Sequence, residues 1–232
     1  MTTIARPIIL LTVCAWALSA ATPLAATEHF ASVWFDVRTS GPINRGSEPG
    51  PWRYSLLGQF RYYDTPVSIR QWVLRPGIAY RIDSRFSVAA GYGFHRSMLD
   101  GFDEHLDEHR VWQQLQWNMA YWGGAVLKSR TRLEQRVPSG LSGTGFRLRE
   151  RLRLESRFGP EIQWKFIIGV EALVNLRNTS WTTRGYSETR FFTGFGLDMN
   201  SVNVETGYLH QRSHLSRIAD QVNHVLVLSL GF

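Results

Sequence analysis

Polar and apolar residues alternate with a period of two along most of the chain. In "WRYSLLGQFRYY" (52–63), Trp52, Tyr54, Leu56, Phe60 and Tyr62 share one face, and Arg53, Ser55, Gln59 and Arg61 share the other. In "RFSVAAGYGFH", Phe86, Val88, Ala90, Tyr92 and Phe94 oppose Ser87, Ala89, Gly91, Gly93 and His95. In "FRLRERLRLES", Arg147, Arg149, Arg151, Arg153 and Glu155 line up against Phe146, Leu148, Leu152 and Leu154. Successive side chains of a strand point to opposite faces, so this pattern predicts long strands, each with one apolar and one polar face. The period places strands at about 51–63, 69–82, 85–95, 107–119, 125–136, 146–157, 162–175, 187–198, 201–212 and 221–232.

Alternation by itself fits a soluble sandwich as well as a membrane barrel, because both have one apolar face per strand. Length and aromatic placement separate them. Strands of soluble proteins usually run about 5–6 residues, and many here run twice that. Trp52, Tyr62, Trp72, Tyr80, Trp117, Trp164 and Tyr208 sit near strand ends on the apolar face, as the interfacial girdles of membrane barrels do. Hydrocarbon offers the backbone no hydrogen-bond partner, so a spanning sheet must close on itself. The reading is all-β: a single antiparallel transmembrane β-barrel of about ten to twelve strands. Bacterial single-chain barrels have even strand counts, and "FASVWFDV" (30–37) reads as an eleventh strand. Either a missed or merged strand makes twelve, or this segment lies outside the ladder or in the lumen.

The ends sharpen the picture. Arg6, the run "PIILLTVCAWALSAA" and the small residues near "PLAA" have the layout of a cleaved secretory signal peptide over 1–26, leaving the barrel to 27–232. The only cysteine, Cys14, lies inside that leader, so the exported chain has no disulfide framework. No stretch of about 20 apolar residues follows it, which excludes a helical membrane anchor. At the other end, "NHVLVLSLGF" carries no Lys, Arg, Asp or Glu although the chain has a formal net charge of +7. As a closing strand it turns Leu226, Leu228, Leu230 and Phe232 to lipid and Val225, Val227, Ser229 and Gly231 inward. A terminal aromatic there resembles the signal read by the outer-membrane assembly machinery. These features predict an outer-membrane location in a Gram-negative bacterium, with outer-membrane lipid and that machinery as partners.

"EHRVWQQLQW" (108–117), "SRTRLEQR" (129–136), "RLRERLRLESRF" (147–158), "ETRFFTGFGLD" (188–198) and "NHVLVLSLGF" (223–232) together resemble the bacterial family known as domain of unknown function 2490. The resemblance covers nearly all of the mature chain. It implies an outer-membrane barrel and, by the family's name, little about activity.

The polar face carries the candidate chemistry. Alternation gathers Glu108, Arg110, Arg130, Arg132, Glu134, Arg136, Arg149, Arg151, Arg153, Glu155, Glu171, Arg190 and Glu205 in the lumen, with Arg147 and Lys128 beside them. Side chains are long enough to fill a small barrel, so the expected function is a closed, charge-plugged structural or interaction barrel. The alternatives are a narrow, porin-like anion-selective pore, and a hydrolase in which His95 and Ser97, or His210, Ser213 and His214, meet at the outer rim as base and nucleophile. The acidic loop "LDGFDEHLDEH" (99–109) matches no calcium-loop spacing, and no cofactor or metal is expected. Nucleic acid is not an expected partner, because the arginines face inward along strands and form no surface patch. Arg70, Gln113 and Glu150 fall on the lipid face and fit the scheme least.

Overall fold

The computed structural model describes residues 27–43, 50–64, 68–99, 104–158, 163–199, 201–214 and 220–232. The proposed leader, and Asp100 and Asp103 of the acidic loop, lie outside these residues.

The described chain forms eleven strands: β1 (Glu28–Pro42), β2 (Trp52–Asp64), β3 (Ile69–Arg81), β4 (Phe86–Leu99), β5 (His105–Trp122), β6 (Ala125–Pro138), β7 (Gly145–Phe158), β8 (Gln163–Asn175), β9 (Gly185–Met199), β10 (Val202–Ser213) and β11 (Gln221–Gly231). Each strand pairs with its sequence neighbours, and β1 pairs with β11 to close the barrel. The ten strands read from alternation are all present. The expected even count is corrected. Residues 30–37 belong to β1, which lies in the ladder and neither outside it nor in the lumen. Up-and-down strands alternate in direction, so an odd number leaves the first and last running the same way. β1 and β11 accordingly pair in parallel, from Glu28 opposite Gln221 to Arg38 opposite Gly231, while the other ten pairs are antiparallel. Closure leaves no unpaired edge among the described strands.

The inside-outside assignment follows the period of two. Leu56, Leu74, Ile78, Val111, Leu115, Leu148, Phe195, Leu226 and Leu228 are exposed on the outer face. Trp52, Trp72, Tyr80, Trp164 and Tyr208 stand exposed with them, and cross-strand ring pairs such as Trp52 with Tyr80 at 5.0 Å tie neighbouring strands together. In the closing strand Val225 and Ser229 are buried inward while Leu226, Leu228 and Phe232 are exposed. Arg70, the second residue of β3, sits at the rim. Glu150 does face outward from β7, and its carboxylate accepts hydrogen bonds from Ser129 Oγ at 2.6 Å and Thr131 Oγ1 at 2.5 Å. The neighbouring strand supplies the donors that hydrocarbon would not.

The charged lumen as candidate functional site

β5, β6 and β7 bring their cations face to face. Register sets Arg110 opposite Arg136, Arg132 opposite Arg149, Arg130 opposite Arg151, and Lys128 opposite Arg153. Like charges directly opposite are destabilising unless something neutralises them; carboxylates bridge two of these pairs, and a third carboxylate takes one arginine from each of the other two. Glu108 accepts from Arg110 Nε at 2.8 Å and from Arg136 Nε at 2.5 Å. Glu155 is held by Lys128 Nζ at 2.8 Å and Arg153 Nε at 2.7 Å. Glu171, on β8, takes Arg149 Nη2 at 2.8 Å and a short hydrogen bond from Arg130. Arg190 of β9 stands 3.5 Å from the same carboxylate and also binds Glu188.

The deepest acid is Glu134, 1% exposed. Its two oxygens accept from Arg147 Nη2 at 2.7 Å and Arg149 Nη1 at 2.8 Å, with Arg110 and Arg132 at 3.9 and 4.0 Å. Some contacts bridge distant strands: Arg153 of β7 reaches Glu205 of β10 at 2.7 Å, and Glu205 also lies 3.6 Å from Lys165. Every acid and base predicted for the lumen is therefore on its wall, and all but Arg132 and Arg151 hydrogen-bond to an oppositely charged side chain. Arg132 donates to Gln114 Oε1 at 2.6 Å, stacks on Trp112 at 4.4 Å, and comes no nearer than 4.0 Å to a carboxylate.

Trp112 can occupy this position because two neighbouring residues have no side chain. A Cβ at Gly77 would meet the indole at 2.6 Å, and one at Gly91 would stand 2.3 Å from the Pro76 carbonyl oxygen and 2.4 Å from the indole. β1 supplies further polar groups that its uncertain place in the ladder had hidden. Asp36 binds Arg38 Nη2 at 2.8 Å and takes a short hydrogen bond from Gln59. Trp34 is covered by Arg61 at 4.1 Å and Arg190 at 5.2 Å. Arg75 also went unremarked in the sequence, although Trp72 and Tyr80 on the outer face put Arg75 on the inner one.

The Ser/His groups do not assemble as a rim dyad. His95 is buried in the lumen and stands 3.4 Å from Arg75 Nη2. β4 runs on to Leu99, four residues past the expected end, which carries His95 below the rim. Ser97 accepts from Gln71 Nε2 at 2.8 Å. His210 lies on the outer face of β10 with its ring 5.9 Å from His224, and His214 binds Asp220 at 2.8 Å. Partial burial works against ionisation of Asp220, but hydrogen bonds from His214 and Arg212 hold its carboxyl below the usual range. Among the described residues no hydrogen bond joins Ser97 or Ser213 to a histidine. No group of three His, Cys, Asp or Glu side chains is placed to hold a metal ion among those residues either.

These features define a class: a closed all-β barrel with an apolar outer belt and a lumen lined by interlocked charges. The chain belongs to the family described as "protein of unknown function (DUF2490)", which matches residues 31–223. It is 31% identical over 164 residues to an uncharacterised protein of Methylorubrum extorquens, covering 69% of this chain and 71% of that one. Among solved structures it is similar to LpxR from Salmonella typhimurium, with a TM-score of 0.51 and 9% identity over 79% of this chain and 83% of that chain. Identity that low carries the fold alone.

Proposed function

We propose that the protein is an outer-membrane β-barrel of a Gram-negative bacterium, exported by the segment 1–26, whose lumen is closed by ion pairs so that it serves as a structural or interaction component of the envelope. The apolar belt supports the membrane setting. Its strands, 11 to 18 residues long, exceed the roughly 9–11 residues that a tilted strand needs to cross a bilayer. The observation that supports a closed lumen is the contact from Arg153 on β7 to Glu205 on β10, which passes over β8 and β9 and narrows the lumen at that level. β11 supports docking to the barrel assembly machinery, because its apolar face ends on the exposed Phe232.

Planar-bilayer recording of the mature, heat-modifiable barrel tests this reading. Silence is expected, with current appearing when Arg153 and Glu205 are both changed to Ala. Steady anion-selective conductance from the unaltered protein overturns the plug in favour of a pore. Recovery from cells as a soluble periplasmic protein overturns the membrane setting.

A further inference from the structure

The plug is incomplete at its centre. A cavity of about 460 Å³ opens there, lined by nine arginines against three carboxylates, Asp36, Glu171 and Glu205. Its size falls within the range of small-molecule sites, about 300–1,000 Å³. Most of the nine have their charge met inside the protein. Arg38 is met by Asp36, Arg130 and Arg149 by Glu171, Arg153 by Glu155 and Glu205, and Arg190 by Glu188.

Four are not met in this way, and of these Arg61 has amide acceptors instead, donating to Gln59 Oε1 at 2.6 Å and Gln71 Oε1 at 3.1 Å. Arg151 makes no ion pair or hydrogen bond among the described residues, and its Nε is buried without a partner. Arg132 is 94% buried, with 6% exposure, and its Nη1 has no hydrogen-bond acceptor. Among the described residues Arg75 has only the neutral-capable ring of His95 as a hydrogen-bond partner, at 3.4 Å. Elsewhere on the β5–β7 wall, facing cations close on a carboxylate between them, as Glu108 and Glu155 show. Arg132 faces Arg149 and Arg151 faces Arg130 in the same way, but Glu171 takes only Arg149 and Arg130, and among the described residues no carboxylate comes within hydrogen-bond distance of Arg151 or nearer than 4.0 Å to Arg132. A buried cation without a counter-charge is costly, so the pattern calls for an anion from outside.

Building on the closed-lumen reading, we infer that this cavity is a binding site for a small soluble phosphorylated molecule. Its phosphoryl group is held by Arg132 and Arg151, and Arg75 lies on the same cavity wall. A phosphoryl dianion matches two stranded guanidiniums in charge, and the guanidinium fork matches phosphate oxygens in geometry. The cavity is larger than one phosphoryl group needs, which leaves room for the rest of a small ligand. A lipid phosphate is the wrong source, because its acyl chains would have to enter a lumen of arginines and carboxylates.

Titration calorimetry of the folded barrel in detergent tests the site, with inorganic phosphate and pyrophosphate as probes and sodium chloride at matched ionic strength as reference. Saturable binding is expected for the unaltered protein and for Arg157→Gln, whose side chain is 60% exposed and does not line the cavity. Arg132→Gln and Arg151→Gln should each weaken it by at least about tenfold, the loss of one charge-assisted hydrogen bond. If either variant fails to fold, the urea midpoint of the unaltered barrel decides: phosphate must raise it more than chloride does. No saturable binding, or binding that both arginine variants leave unchanged, overturns the site. Bilayer conductance reports the closed lumen separately, so a conducting barrel that binds phosphate leaves the site standing and a silent barrel that does not bind removes the site alone.

Discussion

From β5 to β8 the lumen wall is closed by guanidinium–carboxylate clamps, whereas from β10 through β11 to β1 it is closed by Trp34, Leu209 and Val225 packed with Tyr63, Phe192 and Val227. Both walls use the same backbone device, an aromatic ring laid over glycines on neighbouring strands. Phe192 lies against Gly194 and Gly207, where an added Cβ would come within 2.8 Å of its ring, as Trp112 lies against Gly77 and Gly91. What covers the ring differs. Both rings border the cavity, but Trp112 carries an arginine while Phe192 packs beside Leu209. The apolar wall gains from burial irrespective of partners. The charged wall is sound only while each acid and base keeps its counterpart, since an intact buried pair is near neutral and a broken one is costly.

That difference predicts opposite responses to a second substitution. Glu134→Gln removes the acid that Arg147 and Arg149 share and should cost about 3–5 kcal/mol, read as a fall in the urea midpoint of the folded barrel. Adding Arg147→Met, which deletes a cation whose only carboxylate partner among the described residues is Glu134, should recover part of that loss. Leu209→Ala on the apolar wall should cost about 2–5 kcal/mol, toward the lower end because the site is not fully sealed. There, adding Val225→Ala should deepen the loss and never repair it. Rescue on the apolar wall, or its absence on the charged one, would break the contrast.

The outer face sets a third standard. Leu228→Arg puts a cation on the exposed side of β11 and should cost about 2–4 kcal/mol if that position lies near mid-membrane. An unchanged midpoint in lipid vesicles would mean that inner and outer faces have been exchanged. The same substitution in detergent should cost less, because micelles deform around a charge more readily than a bilayer does.

Much of this was legible from local pattern. Strand positions and the face taken by Glu134, Arg149 or Leu228 follow from a period of two, which each strand states independently. What was not legible depends on which strands meet. β1 alternates as well as any other, with Trp34 and Asp36 opposite Val33, Phe35 and Val37, yet its parallel partner is chosen by closure of the whole ring. Alternation groups His95 with the inward Ser87 and Ala89, but its depth depends on where β4 stops. The isolation of Arg151 is a property of three strands at once: Glu171 lies directly opposite it on β8 and spends its oxygens on Arg149 and Arg130. No spacing within one strand announces that.

The smallest expected effect comes from a pair whose geometry rivals the best in the lumen. Arg96 on β4 donates from Nε and Nη2 to the two oxygens of Asp107 on β5, both at 2.7 Å, matching the distance from Arg147 to Glu134. Yet Arg96 lies at the rim with 42% of its side chain exposed, and water and salt screen what the lumen leaves unscreened. Arg96→Ala, Asp107→Ala and the double change should therefore leave the urea midpoint within error of the parent, and any coupling between them should vanish in high salt. Coupling of the size seen at Glu134, persisting in salt, would mean that geometry and not burial governs these pairs. The division between rim and lumen would then lose its physical basis.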